Sequence, residues 1–126
     1  MARWFDPSRA GHPVVHPWPL IYLYRGLLLI EDAGDKNAAA RSFDAGVRNT
    51  ENRGATMKLI GAMISTVAFC CLDKTEYKNR ADVLLTSVRS DLPEASKAIK
   101  ALEEAPRNSG PARIRVALGA LPFNYH

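Results

Sequence analysis

The sequence has little of what most site chemistries use. Only two of its 126 residues are cysteine, and Cys70 and Cys71 are adjacent, which denies them ordinary disulfide geometry with each other. A disulfide framework is excluded, and a reducing, cytoplasmic or otherwise intracellular setting is expected. Near the end of the most apolar segment, both read as core thiols, quieted by burial. Histidine is scarce as well. His12 and His16 have the spacing of ligands on one helix face, but Pro13 and Pro17 forbid that helix. His126 is the third, and adjacent thiols make a poor zinc pair, so no metal site is expected. Neither a Gly-x-Ser-x-Gly elbow nor a glycine-rich phosphate loop occurs, and no cofactor is expected. The carboxylates are scattered, whereas general acid–base work wants them paired in a cleft. Two acidic pairs, Glu31 with Asp32 and Glu103 with Glu104, fall in C-terminal halves of expected helices, where the macrodipole disfavours them and cationic neighbours would help. The expectation is that the chain is not an enzyme.

Long hydrophobic runs are absent too. Residues 20–30 are interrupted by Arg25, and the uncharged run at residues 59–72 is short of the about 20 residues a membrane-spanning helix wants. Both read as buried core helices, and no membrane partner is expected. Residues 1–8 lack the basic-then-apolar pattern of a signal peptide, residue 2 is Ala and not Gly, and residues 124–126 carry no prenylation cysteine, so neither secretion nor lipidation is expected.

What is present is globular in composition: 47% hydrophobic, 24% charged, enough for one domain with its own core. The net charge of +4 permits an acidic partner without demanding one. Three stretches differ in character. Residues 1–19 hold four of the eight prolines, at positions 7, 13, 17 and 19, and should form an extended arm. Residues 20–105 read as the helical core domain. Residues 106–126 read as a linker and a basic, aromatic tail, in which residues 112–121 suit either a strand or a short helix; with no partner strand in the chain, the helix is preferred.

Within the core domain the periodicity gives five helices. The first, about residues 19–33, carries Leu20, Leu23, Tyr24, Leu27 and Leu28 on one face, is polar at few positions and should be mostly buried, with Gly34 as its stop. Asp35 caps a second helix at about residues 36–50, with Ala40, Phe43 and Val47 inward and Gly46 placed for close packing. A turn at residues 52–54 leads to the third helix, about residues 55–72, the expected centre. Its broad apolar face is Met57, Ile60, Met63, Ile64, Val67, Cys71 and Leu72; its other side is small, with Gly61, Ala62, Ser65 and Thr66, which implies neighbours on both sides. Asp73 with Glu76 and Asp91 with Glu94 resemble capping boxes opening a fourth helix at about residues 74–89 and a fifth at about residues 92–105. Tyr77, Ala81, Leu84, Leu85 and Val88 line the fourth; Ala95, Ala98, Ile99 and Leu102 line the fifth. The expected fold is all-α: a single compact bundle of five helices, or six if the tail is helical, with an extended proline-rich N-terminal arm.

Two kinds of binding residue stand out. Trp4, Phe5, Trp18, Phe123 and Tyr125 lie in the irregular terminal segments, where aromatics either fasten the ends to the domain or anchor a partner. They point to a non-catalytic helical interaction or scaffold protein that self-associates as a homo-oligomer or docks another protein. The alternative partner is RNA or DNA. Eleven of the seventeen basic residues are Arg, and Arg41, Arg48 and Arg53, with Arg107, Arg113 and Arg115 nearer the C-terminus, are candidate phosphate contacts. No helix-turn-helix, zinc-finger or RNA-recognition signature accompanies them.

Overall fold

A computed structural model describes residues 19–107, and these form five α-helices and no strand. In chain order they are α1 (Leu20–Ala33), α2 (Lys36–Arg48), α3 (Ala55–Leu72), α4 (Thr75–Asp91) and α5 (Ser96–Glu104). Short 3-10 turns at Pro93–Ala95 and Ala105–Arg107 bracket α5, so the chain turns helically through Pro106 and Arg107, the first residues of what the sequence suggests is linker. The proline-rich arm, the possible sixth helix at residues 112–121 and the tail lie outside the described residues.

The starts and stops of α1 and α2 follow local chemistry. Pro19 supplies a φ of −61° and begins α1 without a side-chain cap. Gly34, at φ 62°, ends it with its N–H donating to the Ile30 carbonyl. The Asp35 carboxylate then accepts from the Ala38 N–H at 3.0 Å, opening α2. The turn folds α2 back along α1, and glycine sets how close they come. A Cβ on Gly26 would run into the Phe43 ring, and one on Gly46 would lie 3.0 Å from the Tyr22 Cβ and 3.1 Å from the Ile64 Cδ1. The role expected of Gly46 is therefore met, and it serves α1 and α3 at once. Ser42 Oγ stitches the pair by donating to the Tyr22 carbonyl at 2.7 Å.

α3 is the centre. Met57 and residues 59–68 are all buried, the small side included. Its apolar side packs in one cluster with Leu20, Leu23, Phe43 and Val47 of the first two helices. Its small side admits neighbours closely: a Cβ on Gly61 would sit 2.5 Å from Thr50 Oγ1 and 3.5 Å from Leu84 Cδ1. α4 returns antiparallel to α3, with Lys58 Nζ donating to Ser87 Oγ at 3.0 Å. Tyr77, Ala81, Leu85 and Val88 close the core from α4; Ala95, Ile99 and Leu102 close it from α5. Among the described residues, α3 is long and apolar enough to cross a membrane, longer as a helix than its uncharged run suggests; 61% of it is buried by its neighbours, as a core helix should be.

Two capping assignments are corrected. Asp73 does not open α4. It sits at φ 58° and ends α3, its N–H donating to the Phe69 carbonyl at 2.8 Å. A short polar residue tolerates the left-handed region and so stops a helix as readily as it starts one. Lys74 occupies the N-cap of α4, with no side-chain bond. Asp91 is likewise the last residue of α4: helical bonding runs on past it, Leu92 N–H donating to the Val88 carbonyl at 2.7 Å. Pro93 then starts a 3-10 turn, as its place in a first turn implies.

A third correction concerns α1. Only Leu20, Leu23 and Gly26 are buried in it. Leu28, which the sequence pattern assigns to the inner face, is 55% exposed, and Ile21 is 36% exposed. α1 packs against α2 and touches α3 only lightly, so one side of it remains uncovered.

Candidate interaction surface

The uncovered side of α1 is a continuous stripe. Ile21, Arg25, Leu28 and Asp32 follow one another at spacings of four, three and four residues, the repeat that keeps side chains on one helix face. All four are exposed, and half-buried Tyr24 and exposed Glu31 flank them. Burial raises the pKa of the Tyr24 hydroxyl above its ordinary value, so the ring stays neutral and can present an apolar face. Arg25, Glu31 and Asp32 form no ion pair among the described residues. From Ile21 to Asp32 the stripe runs about 16 Å.

Two ion pairs lie elsewhere among the described residues. Asp44 on α2 accepts from the Tyr77 hydroxyl at 3.0 Å and, on the same oxygen, from Arg80 at 3.5 Å. Arg80 also stands over the Tyr77 ring, 5.6 Å from its centre. Burial, and then the hydrogen bond to Asp44, push the Tyr77 pKa up to about 12. Arg89 on α4 donates to Glu103 on α5 at 2.7 Å. The cationic neighbour that a helix-C-terminal acid wants is thus supplied to Glu103 from inside the chain.

A partly open cleft of about 360 Å³ lies between α3, α4 and α5. Phe69, Leu85 and Leu102 give it an apolar floor, and Lys78, Asp82, Glu103 and Arg107 give it a rim of both signs. Thr66 Oγ1, at its side, is committed to the Ala62 carbonyl at 2.8 Å. Among the described residues no three His, Cys, Asp or Glu side chains are grouped to hold a metal ion. Cys70 and Cys71 are half-buried thiols in the last turn of α3.

The residues singled out from sequence fare unequally. Trp4, Phe5, Trp18, Phe123, Tyr125, Arg113 and Arg115 lie outside the described residues. Arg41 and Arg48 are exposed on α2, and Arg53 is exposed in the turn that follows. Arg107 is not with them: it borders the cleft beside Phe69, at the opposite end of α3 from that turn. Among the described residues the arginines therefore do not make one patch. The α1 stripe is the surface that the sequence reading missed, because α1 is so apolar that every side of it looks buried. A better signal was the pair of opposite charges at 25 and 32 with leucine between them. Comparison with protein-family models, curated proteins and solved structures gives no match to this chain.

Proposed function

We propose that this chain is a non-catalytic, helical interaction protein: a bundle whose arm and tail carry aromatic anchors and which works by self-association or by docking another protein. The observation that carries this reading is the open side of α1. A helix of 14 residues that buries only three, and leaves a leucine 55% exposed, retains apolar surface of the kind that marks contact sites. Trp18 stands two residues before this helix and Trp4 and Phe5 lie earlier in the same arm, and as aromatic anchors they would extend the same contact. A sequence with only two cysteines, adjacent to each other, suits a reducing, intracellular setting.

Light scattering on the full chain after size exclusion tests the reading, with and without added RNA or DNA. A mass above 13.9 kDa, lowered when Trp4, Phe5 and Trp18 are replaced together by Ala while the far-ultraviolet helix signal is kept, supports it. A monomer that gains mass only with nucleic acid, in a salt-sensitive way, replaces it with the nucleic-acid reading.

A further inference from the structure

We infer that α1 pairs antiparallel with α1 of a second copy of this chain, Leu28 packing beside its symmetry mate and Arg25 of each copy facing Asp32 of the other. The inference rests on the self-association reading and assigns its contact. Two copies of one chain close a dimer about a two-fold axis, so the surface must complement itself. On the stripe, Arg25 lies three residues before Leu28 and Asp32 four residues after it, on the same flank. An antiparallel two-fold through Leu28 therefore sets each arginine against the other copy's aspartate, twice over. A parallel pair would set Arg25 against Arg25 and Asp32 against Asp32, which repel.

Two further features agree. Glu31 and Asp32 stand in the last turn of α1, where the macrodipole disfavours them, and unlike Glu103 they have no ion pair among the described residues. Antiparallel pairing about Leu28 sets each acidic end beside Tyr24 and Arg25 of the other copy, which supplies the cation it lacks. Leu28, the more exposed of the stripe's two apolar side chains, sits at the axis with Arg25 and Asp32 on either side of it, an apolar centre with a charged rim, as interfaces have. A contact about 16 Å long, one helix wide, is small, so the dimer should be of the concentration-dependent, micromolar kind.

The test is sedimentation equilibrium of the full chain at about 1–200 μM, a range bracketing micromolar dissociation constants. The expected result is a monomer–dimer equilibrium that Leu28→Glu weakens by roughly tenfold or more. Arg25→Glu and Asp32→Arg should each weaken it too, and an equal mixture of those two variants should dimerise again, because in the mixed pair every acid faces a base. All three positions are exposed, so circular dichroism should show an unchanged fold; if Leu28→Glu fails to fold, the charge-swap mixture decides alone. Single variants that dissociate without rescue in the mixture would overturn the antiparallel pairing. A wild-type dimer indifferent to all three substitutions, yet lost when Trp4, Phe5 and Trp18 become Ala, would overturn the α1 contact and leave self-association through the arm standing. A wild-type chain monomeric throughout the range overturns both.

Discussion

α1 and α3 are alike in composition and opposite in circumstance. Both are apolar nearly all the way round, but α3 buries eleven of its eighteen residues and α1 three of its fourteen. The difference lies in the small residues. Gly61, Ala62, Ser65 and Thr66 give α3 a second side on which Thr50 and Leu84 can approach, so it is packed from both directions. α1 has one glycine, Gly26, and it faces Phe43 on the side already covered. Apolar content thus sets that a helix wants covering, whereas the placement of small side chains sets from how many directions its own chain can cover it.

The largest expected effect is at the doubly packed helix. Ile64→Ala removes a side chain with no exposed surface, in contact with the Gly46 crossing, and should lower stability by about 2–5 kcal/mol in a denaturant melt. A near-wild-type midpoint would remove α3 from the centre of the fold. Next is the link from α2 to α4. Tyr77 ionises near 10 when unfolded but near 12 when folded, so the unfolded chain releases its proton first as pH rises. The stabilisation is complete below pH 10 and disappears between about pH 10 and 12, a loss of about 2–3 kcal/mol from this group. Tyr77→Phe should flatten that part of the pH–stability curve; an unchanged slope would mean that the buried hydroxyl is not its source.

Smaller effects separate the first helix pair. Gly26→Ala should destabilise by about 1–2 kcal/mol, since overpacking against the fully buried Phe43 ring outweighs the gain of roughly 1 kcal/mol in helix propensity. A net gain in stability would show that α1 stands further from α2 than described. At the helix ends, Asp35→Ala should cost about 0.5–2 kcal/mol, as it removes the acceptor for Ala38 N–H. Asp73→Gly should instead gain about 0.5–1 kcal/mol, because the site is left-handed. Thermal melts with equal losses at the two sites would restore Asp73 as a helix start.

These cases show what was legible in the sequence. Spans of α1 and α2, the stop at Gly34 and the cap at Asp35 were readable because their chemistry is local. The core role of Ile64 and Val67 was readable because α3 has a sustained pattern. Asp73 and Asp91 were misread because an acid near a helix junction fits the end of one helix as well as the start of the next, and only the bonding of Phe69 and Val88 decides. Leu28 was misread because α1 has no polar stripe to mark its outside; Arg25 and Asp32 are the only hints, and they acquire meaning only once α2 is seen to cover the other face. Arg107 was read as part of a C-terminal group apart from Arg41, Arg48 and Arg53, and it does lie at the far end of α3 from them.

The central claim is that the exposed side of α1 is completed by a second copy, whereas α3 is completed within the chain. The most direct measurement is the melting temperature of the full chain at about 2 and 200 μM, for the wild type, Leu28→Glu and Ile64→Ala. Association stabilises the folded state by mass action, so the wild-type Tm should rise by several degrees over that range. Leu28→Glu should show a clearly smaller rise than the wild type, and Ile64→Ala should melt lower at both while keeping the wild-type concentration dependence. A wild-type Tm that does not move with concentration, or a Leu28→Glu variant that moves as much as the wild type, would contradict the account.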